Sequence, residues 1–218
     1  MTQELLNLYD AAAVVVGARP RSEAKASGLA VGAVNALVLN GRGEVLLQRR
    51  PRRKENGGRW DKSVGGHVSA GEDFDTTLLR EAGEELFDDA HSGRVQLAGS
   101  EEEFAVLVAT ADLSREVVLR RVSFQRNLRD VRLAPAGGAK NVLYHVAIYA
   151  GRTGVRGDAF RPRPSEIDEL RYFTVADVDR MLLGGELAPN MAFLWLAHAY
   201  PLVGLGPGAS PEAEGRQQ

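Results

Sequence analysis

The spacing of apolar positions changes along this chain, and the changes mark its elements. Between Leu29 and Arg49 the runs LAVGAVNALVLN and EVLLQRR flank Asn40-Gly41-Arg42-Gly43. An Asn-Gly pair between two such runs predicts antiparallel strands joined by a tight turn. The earlier apolar segment, Leu5 to Val16, is interrupted by Asp10 and closed by GARPR, which suits a strand or hairpin at a domain edge. PRRKENGGRW reads as a basic loop, and WDKSVGGHV as a strand ending in glycines. Then the period lengthens: Phe74, Leu78, Ala82 and Leu86 recur every four residues, which predicts a helix. Glu81, Glu84 and Glu85 lie on another sector of that helix. Glu72, Asp73 and Asp75 crowd its first turn, where the positive end of the helix dipole favours anions.

In the second half, Glu101 to Thr110 reads as helical. The run REVVLRRVSFQRNLRDVRL alternates at Arg121 to Arg126, yet its charge is too dense for a buried strand, so its state stays open. APAGGAK is a flexible break, NVLYHVAIYAG a buried strand and ELRYFTV a short one. Thr174 to Leu183 and Met191 to Tyr200 read as helices, the first capped by Thr174 with Asp177 three residues on. The Gly- and Pro-rich tail from Gly204 is expected to be disordered. With no internal repeat, the expected layout is one domain over 1–203. It has an N-terminal strand or hairpin in 1–28, an insertion over 95–138 and a C-terminal helix over 190–200.

A chain of 218 residues with 44% hydrophobic and 26% charged residues has the composition of a folded globular domain. Its net charge of −2 offers no strong field for nucleic acid or an acidic membrane. Cysteine is absent, which excludes disulfides, thiolate metal sites and a catalytic thiol. No apolar run approaches the roughly 20 residues needed to span a bilayer, and the first residues lack a secretory pattern. A cytoplasmic location is expected.

The stretch from Gly65 to Ala90 concentrates like charge at Glu72, Asp73, Asp75, Glu81, Glu84, Glu85, Asp88 and Asp89. Two carboxylates about 4 Å apart repel by roughly 4 kcal/mol at an effective dielectric near 20, a sign that a cation reverses. Glu81 is i,i+3 from Glu84 and i,i+4 from Glu85, so the three side chains project toward one region. Hard oxygen ligands without cysteine suit Mg²⁺, or Mn²⁺, better than Zn²⁺. A Glu-rich helix is by itself equally a solvated face. Gly65-Gly66 at a strand end, where backbone can approach a ligand closely, favours the metal reading.

These residues carry a signature. Gly66, Glu72 and Arg80-Glu81-Ala82-Gly83-Glu84-Glu85 have the spacing of the Nudix box, and the chain resembles that family from about Leu5 to Tyr200 in overall layout. The Gly-apolar pair that closes the box is replaced by Phe87-Asp88, so the helix is expected to run on toward His91 or Gly93. The resemblance implies an α/β (α+β) fold, a Nudix-type α/β/α sandwich with a mixed β-sheet. It also implies Mg²⁺-dependent hydrolysis of a diphosphate linkage in a nucleoside diphosphate derivative or another small organic diphosphate, by water attack at phosphorus.

By the same likeness, Glu84 and Glu85 are the main metal ligands, with Glu81 a further ligand or the base that orients water. Arg80 positions Glu81, Gly66 or Gly65 lends a carbonyl, and Glu72 holds the loop or binds metal through water. Beyond the box, Glu166 is favoured over Glu169 as an added base, although a structural salt bridge explains either. Trp60, Asp61, Ser63 and His67 look like the subgroup related to type I isopentenyl diphosphate isomerase, whose mechanism needs a cysteine that this chain lacks.

His67 reads as a metal ligand or as a partner of its own loop, Trp60 as a base-stacking surface or as core, and His145 as a satisfied core histidine. Arg49 and Arg59, within the run that also holds Arg50, Arg52, Arg53 and Lys54, clamp phosphates or belong to a solvated loop. The arginines from Arg115 to Arg132 border the pocket or an interface. A small-molecule diphosphate is the expected partner, with no nucleic acid and no membrane, and a homodimer is expected only by analogy. The competing class is a non-catalytic nucleotide-sensing module, which the retained Arg80, Glu81, Glu84 and Glu85 disfavour.

Overall fold

The computed structural model describes residues 4–134, 136–163 and 165–203, so the expected disorder from Gly204 lies outside the described residues. In chain order the elements are β1 (Leu5–Tyr9), β2 (Val15–Pro20), α1 (Arg21–Ala26), β3 (Ala30–Leu39), β4 (Val45–Arg49), β5 (Trp60–Asp61) and β6 (Val64–His67). They continue with α2 (Phe74–Phe87), β7 (Val95–Ala98), α3 (Glu101–Thr110), β8 (Val117–Leu133), β9 (Ala139–Thr153), β10 (Glu169–Phe173), α4 (Val175–Leu183) and α5 (Pro189–Val203). All the strands join one mixed sheet whose main order is β10-β4-β3-β9-β8-β7. The β3–β9 and β7–β8 pairs are parallel, and the others are antiparallel.

Strand β3 organises the layers because it is buried along its whole length. Val31, Ala33, Leu37 and Leu39 face a core that includes Val178 and Met181 of α4 and Met191, Leu194 and Trp195 of α5. Val34, Ala36 and Val38 face Leu78, Ala82 and Leu86 of α2. Side chains that alternate across a strand, each face apolar, require cover on both sides. The α/β/α sandwich follows.

Three expectations change in detail. WDKSVGGHV forms two short strands rather than one: Ser63 Oγ donates to Leu46 O at 2.5 Å and accepts from Val38 N at 2.8 Å, bridging β4 and β3 at the break. The run whose state stayed open is strand β8, which pairs with β9 through two bulges, at Arg121/Ser123 and Gln125/Leu128. Its arginines do not contradict a strand, because beyond Val117–Leu119 most of it is only partly buried, and the buried Arg132 is paired with Asp130.

The carboxylate helix does not run on past the box. It stops at Phe87, and Asp88 takes the left-handed conformation (φ 54°) usually left to glycine, its N–H bonded to Glu84 O at 3.1 Å. Asp89 N then bonds Gly83 O at 3.0 Å, and a Cβ on Gly83 would meet Asp89 O, so that glycine admits the sharp exit. Phe87, at the box's glycine position, is buried against Phe160 under the Arg94 guanidinium, 3.9 Å above the ring.

Candidate active site

The first turn of α2 is built by capping. Asp73 accepts from Thr76 N at 2.7 Å, satisfying a helix-start donor. This fixes Glu72 beside the helix, where both its oxygens are engaged. Oε1 accepts from Arg80 Nε at 2.9 Å, and Oε2 from Arg80 at 3.0 Å and Thr77 Oγ1 at 2.8 Å. Glu72 is thus placed as a loop clamp.

Arg80 is the hub of this turn. Besides Glu72, its guanidinium reaches Glu81 Oε1 at 2.9 Å and Glu84 Oε2 at 3.4 Å. Glu85 points to the sheet: its Oε2 accepts from Gly65 N at 2.9 Å and from Gln48 Nε2 at 3.3 Å. Burial drives the Glu81 and Glu85 carboxyls well above the usual carboxylate range; the charge of Glu81 adds to this at Glu85, and those of Glu84 and Glu4 add to it at Glu81. Arg80 opposes the shift at Glu81 but does not cancel it.

Gly66 is where β6 meets this turn. A Cβ there would fall on the Glu81 carboxyl, so only glycine lets the acid lie against the strand. Among the described residues no three acidic or histidine side chains stand close enough to enclose an ion as they are placed. The reason is visible: Arg80 acts as counter-ion to Glu81 and Glu84, while Glu85 is turned to Gly65 and Gln48. The donors nevertheless fit a hard dication. Three carboxylates share one helix turn above a glycine cradle, Glu85 buried and Glu81 partly so, without full neutralisation.

A cavity of about 350 Å³ opens beside this turn, with Glu81, Glu85, Gly65 and Gly66 at one end. Cations dominate the rest of its lining, alongside Glu55 and Glu166. Arg50 and Lys62 both pair with Asp61, at 3.3 and 3.2 Å; Asp61 is fully buried and Lys62 only 4% exposed. Lys54 pairs with Glu166, which also lines the cavity. Arg21 and Lys25 of α1 and Arg132 of β8 complete the wall, with Arg132 bonded to Asp130 at 2.8 Å. The loop carrying Arg50 and Lys54 is tied to the end of β8 by Asn56, whose N–H donates to Leu133 O and whose Oδ1 accepts from Leu133 N, both at 2.9 Å.

Of the residues singled out by sequence, Glu81, Glu85, Gly66, His67 and Glu166 line the cavity, with Arg80, Glu84 and Glu72 bonded around the carboxylate turn. Burial holds His67 well below the ordinary histidine value, the cations around it add to this, and its Nε2 lies 3.2 Å from the Tyr144 hydroxyl. Glu169 sits elsewhere, 3.9 Å from Arg49. Arg49, Arg59 and Trp60 border a separate shallow depression with Gly185 and Glu186, so the structure does not bring them to the cavity. Trp60 packs edge-on against Phe173, flanked by Arg49 and Arg171. His145 is buried, its Nε2 2.7 Å from Asp10 O, as a satisfied core histidine should be.

Sequence reasoning missed Lys62, Lys25, Arg21 and Gln48, and it placed Arg132 only in a border segment. The signal available for Lys62 was a lysine next to an aspartate in an apolar stretch, a pair that is buried together or not at all.

The chain belongs to the NUDIX family: the NUDIX domain model matches residues 30–193. An uncharacterized Nudix hydrolase of Nostoc sp. is 37% identical over 98 residues, 44% of this chain and 58% of the relative. Another, from Pseudomonas aeruginosa, is 37% identical over 84 residues, 38% of this chain and 50% of the relative. The chain thus spans between half and three-fifths of the curated relatives it matches. The crystal structure of DR0079 from Deinococcus radiodurans aligns with a TM-score of 0.59 at 23% identity, covering 88% of this chain and 96% of that one. That likeness establishes the Nudix fold. The likeness to the isopentenyl diphosphate isomerase subgroup gains no support from these comparisons, in keeping with the missing cysteine.

Proposed function

We propose that this chain is a pyrophosphohydrolase that cleaves the diphosphate linkage of a nucleoside diphosphate derivative or other small organic diphosphate, with Mg²⁺ or Mn²⁺. The observation that carries the reading is one cavity lined both by the Glu81 and Glu85 carboxylates over a glycine cradle and by a set of cations that includes Arg50, Lys54 and Lys62. Glu81, Glu84 and Glu85 would hold the dications, with a carbonyl from Gly66. The metal would neutralise phosphate oxygens and supply an activated water at neutral pH.

The chain's own side chains do the rest. Arg50, Lys54 and Lys62 hold phosphate oxygens by charge-assisted hydrogen bonds and set the substrate's orientation. Arg80 holds Glu72, Glu81 and Glu84 in register along the helix start, so that short side-chain shifts suffice to bring the carboxylates onto a dication. Glu81, whose burial keeps its proton affinity high, takes the proton from the attacking water. Glu166, held by Lys54 at the cavity wall, is the reserve base; releasing it from Lys54 frees both for the substrate.

Purified protein with Mg²⁺ or Mn²⁺ should release phosphate or a monophosphate from a panel of diphosphate compounds, and Glu84→Gln and Glu85→Gln should each lose most of that turnover. Full activity in both variants would refute the site. No helix among the described residues is long and apolar enough to cross a membrane.

A further inference from the structure

We propose that the end of the cavity formed by α1 and β8 binds a second phosphate group of the substrate, beyond the diphosphate at the carboxylate end. This rests on the hydrolase reading and narrows its substrate class to diphosphates that carry a further phosphate, either along the same chain or as a phosphomonoester.

Arg21 and Lys25 are i,i+4 on α1, so both side chains project from one face, and both line the cavity. Arg132 reaches the same wall from β8; it is 8% exposed, and its buried Nε has no partner. These cations have counter-ions: Arg21 meets Glu4 at 2.7 Å, Lys25 meets Glu55 at 3.4 Å and Arg132 meets Asp130. The pairing does not settle the charge. Burial, with Arg21 and Arg132 nearby, lowers the Lys25 ammonium to about 8 despite Glu55. An anion entering between them would relieve that crowding.

The site is also placed for a longer ligand. A groove of about 630 Å³ shares Arg21, Lys25 and Glu55 with the cavity and continues past Ser22 to Lys140. Arg21 and Lys25 therefore stand where the cavity passes into the groove, and Lys62, Arg50 and Arg132 line the cavity itself. Phosphate fits better than a carboxylate, because several donors converge from separate elements and a phosphate offers three strong acceptor oxygens and nearly two charges.

The test uses the full chain in a chelator, so that the carboxylate end contributes no metal-mediated binding. Inorganic tripolyphosphate, inorganic pyrophosphate and ribose 5-phosphate are titrated by calorimetry at constant ionic strength. Tripolyphosphate should bind about tenfold tighter than pyrophosphate, the value of roughly one extra charge-assisted contact. Lys25→Met and Arg21→Met should abolish the preference, whereas Arg42→Met, which removes a charge outside the cavity, should keep it. Competition by ribose 5-phosphate would assign the site to a terminal phosphomonoester, and its failure to compete would assign it to a chain phosphate. No preference in the wild type, or the same preference in both α1 variants, overturns the proposal. Metal-dependent turnover is read separately. An inactive protein that keeps the preference sinks the hydrolase reading, and an active one without it sinks only this one.

Discussion

Replacing Glu85 by glutamine should make the metal-free protein more stable while destroying its metal response. Glu85 is 8% exposed and held near Glu81, and burial with like-charge repulsion keeps its carboxyl protonated far above the usual range. In the unfolded chain the same group ionises near 4.5. Its folded value is raised, so the penalty on folding begins above pH 4.5 and grows by about 1.4 kcal/mol per pH unit until the folded value is reached. At pH 7 the ceiling is roughly 3 kcal/mol, and because Glu81 shares the shift, about 2 kcal/mol is the expected gain for one substitution. The amide keeps an oxygen for Gly65 N and turns its NH₂ toward Glu81. Urea denaturation in chelator at pH 7 and pH 5 measures it. The variant should be the more stable at pH 7 and nearly equal at pH 5, and added Mg²⁺ should stabilise the wild type only. A variant no more stable than the wild type at pH 7 would refute the account of the buried pair.

Gly66→Ala should cut turnover by about a hundredfold, because its methyl displaces Glu81. Gly65→Ala, whose methyl meets the Lys62 side chain rather than a carboxylate, should cost less; equal losses in steady-state assays would count against the cradle. Phe87→Gly, which restores glycine at that box position, should destabilise by about 3 kcal/mol by emptying the contact with Phe160 and Arg94, read from denaturant midpoints. His67 is held neutral, so the wild type should lose stability relative to His67→Gln as pH falls below 6.5, by up to about 1.4 kcal/mol per unit. An unchanged difference between pH 7.5 and pH 5.5 would contradict its burial as a neutral ring.

The carboxylate half of the site was legible because it is local. Glu72, Arg80, Glu81, Glu84 and Glu85 act across one capped helix start, where spacing alone decides which side chains meet. The β3–β4 turn was legible for the same reason. The basic half was not, since Arg21, Lys25, Arg50, Lys54, Lys62 and Arg132 come together only through sheet pairing, and nothing in their neighbours separates them from Arg49 or Arg59. The state of β8 stayed open because a twisted ribbon with bulges has no single buried face for a period-2 pattern to report. The end of α2 was misjudged because an aspartate did the work of a glycine and a neighbouring Gly83 made room for it.

The two bonds between Asn56 and Leu133 make the tip of the β8–β9 ribbon and the loop of Arg50 and Lys54 a single body. Adding or deleting a pair of residues in that ribbon would slide a rail of positive charge past a stationary acid cluster. Ribbon length therefore sets which cations stand beside that cluster while leaving the cluster itself unchanged.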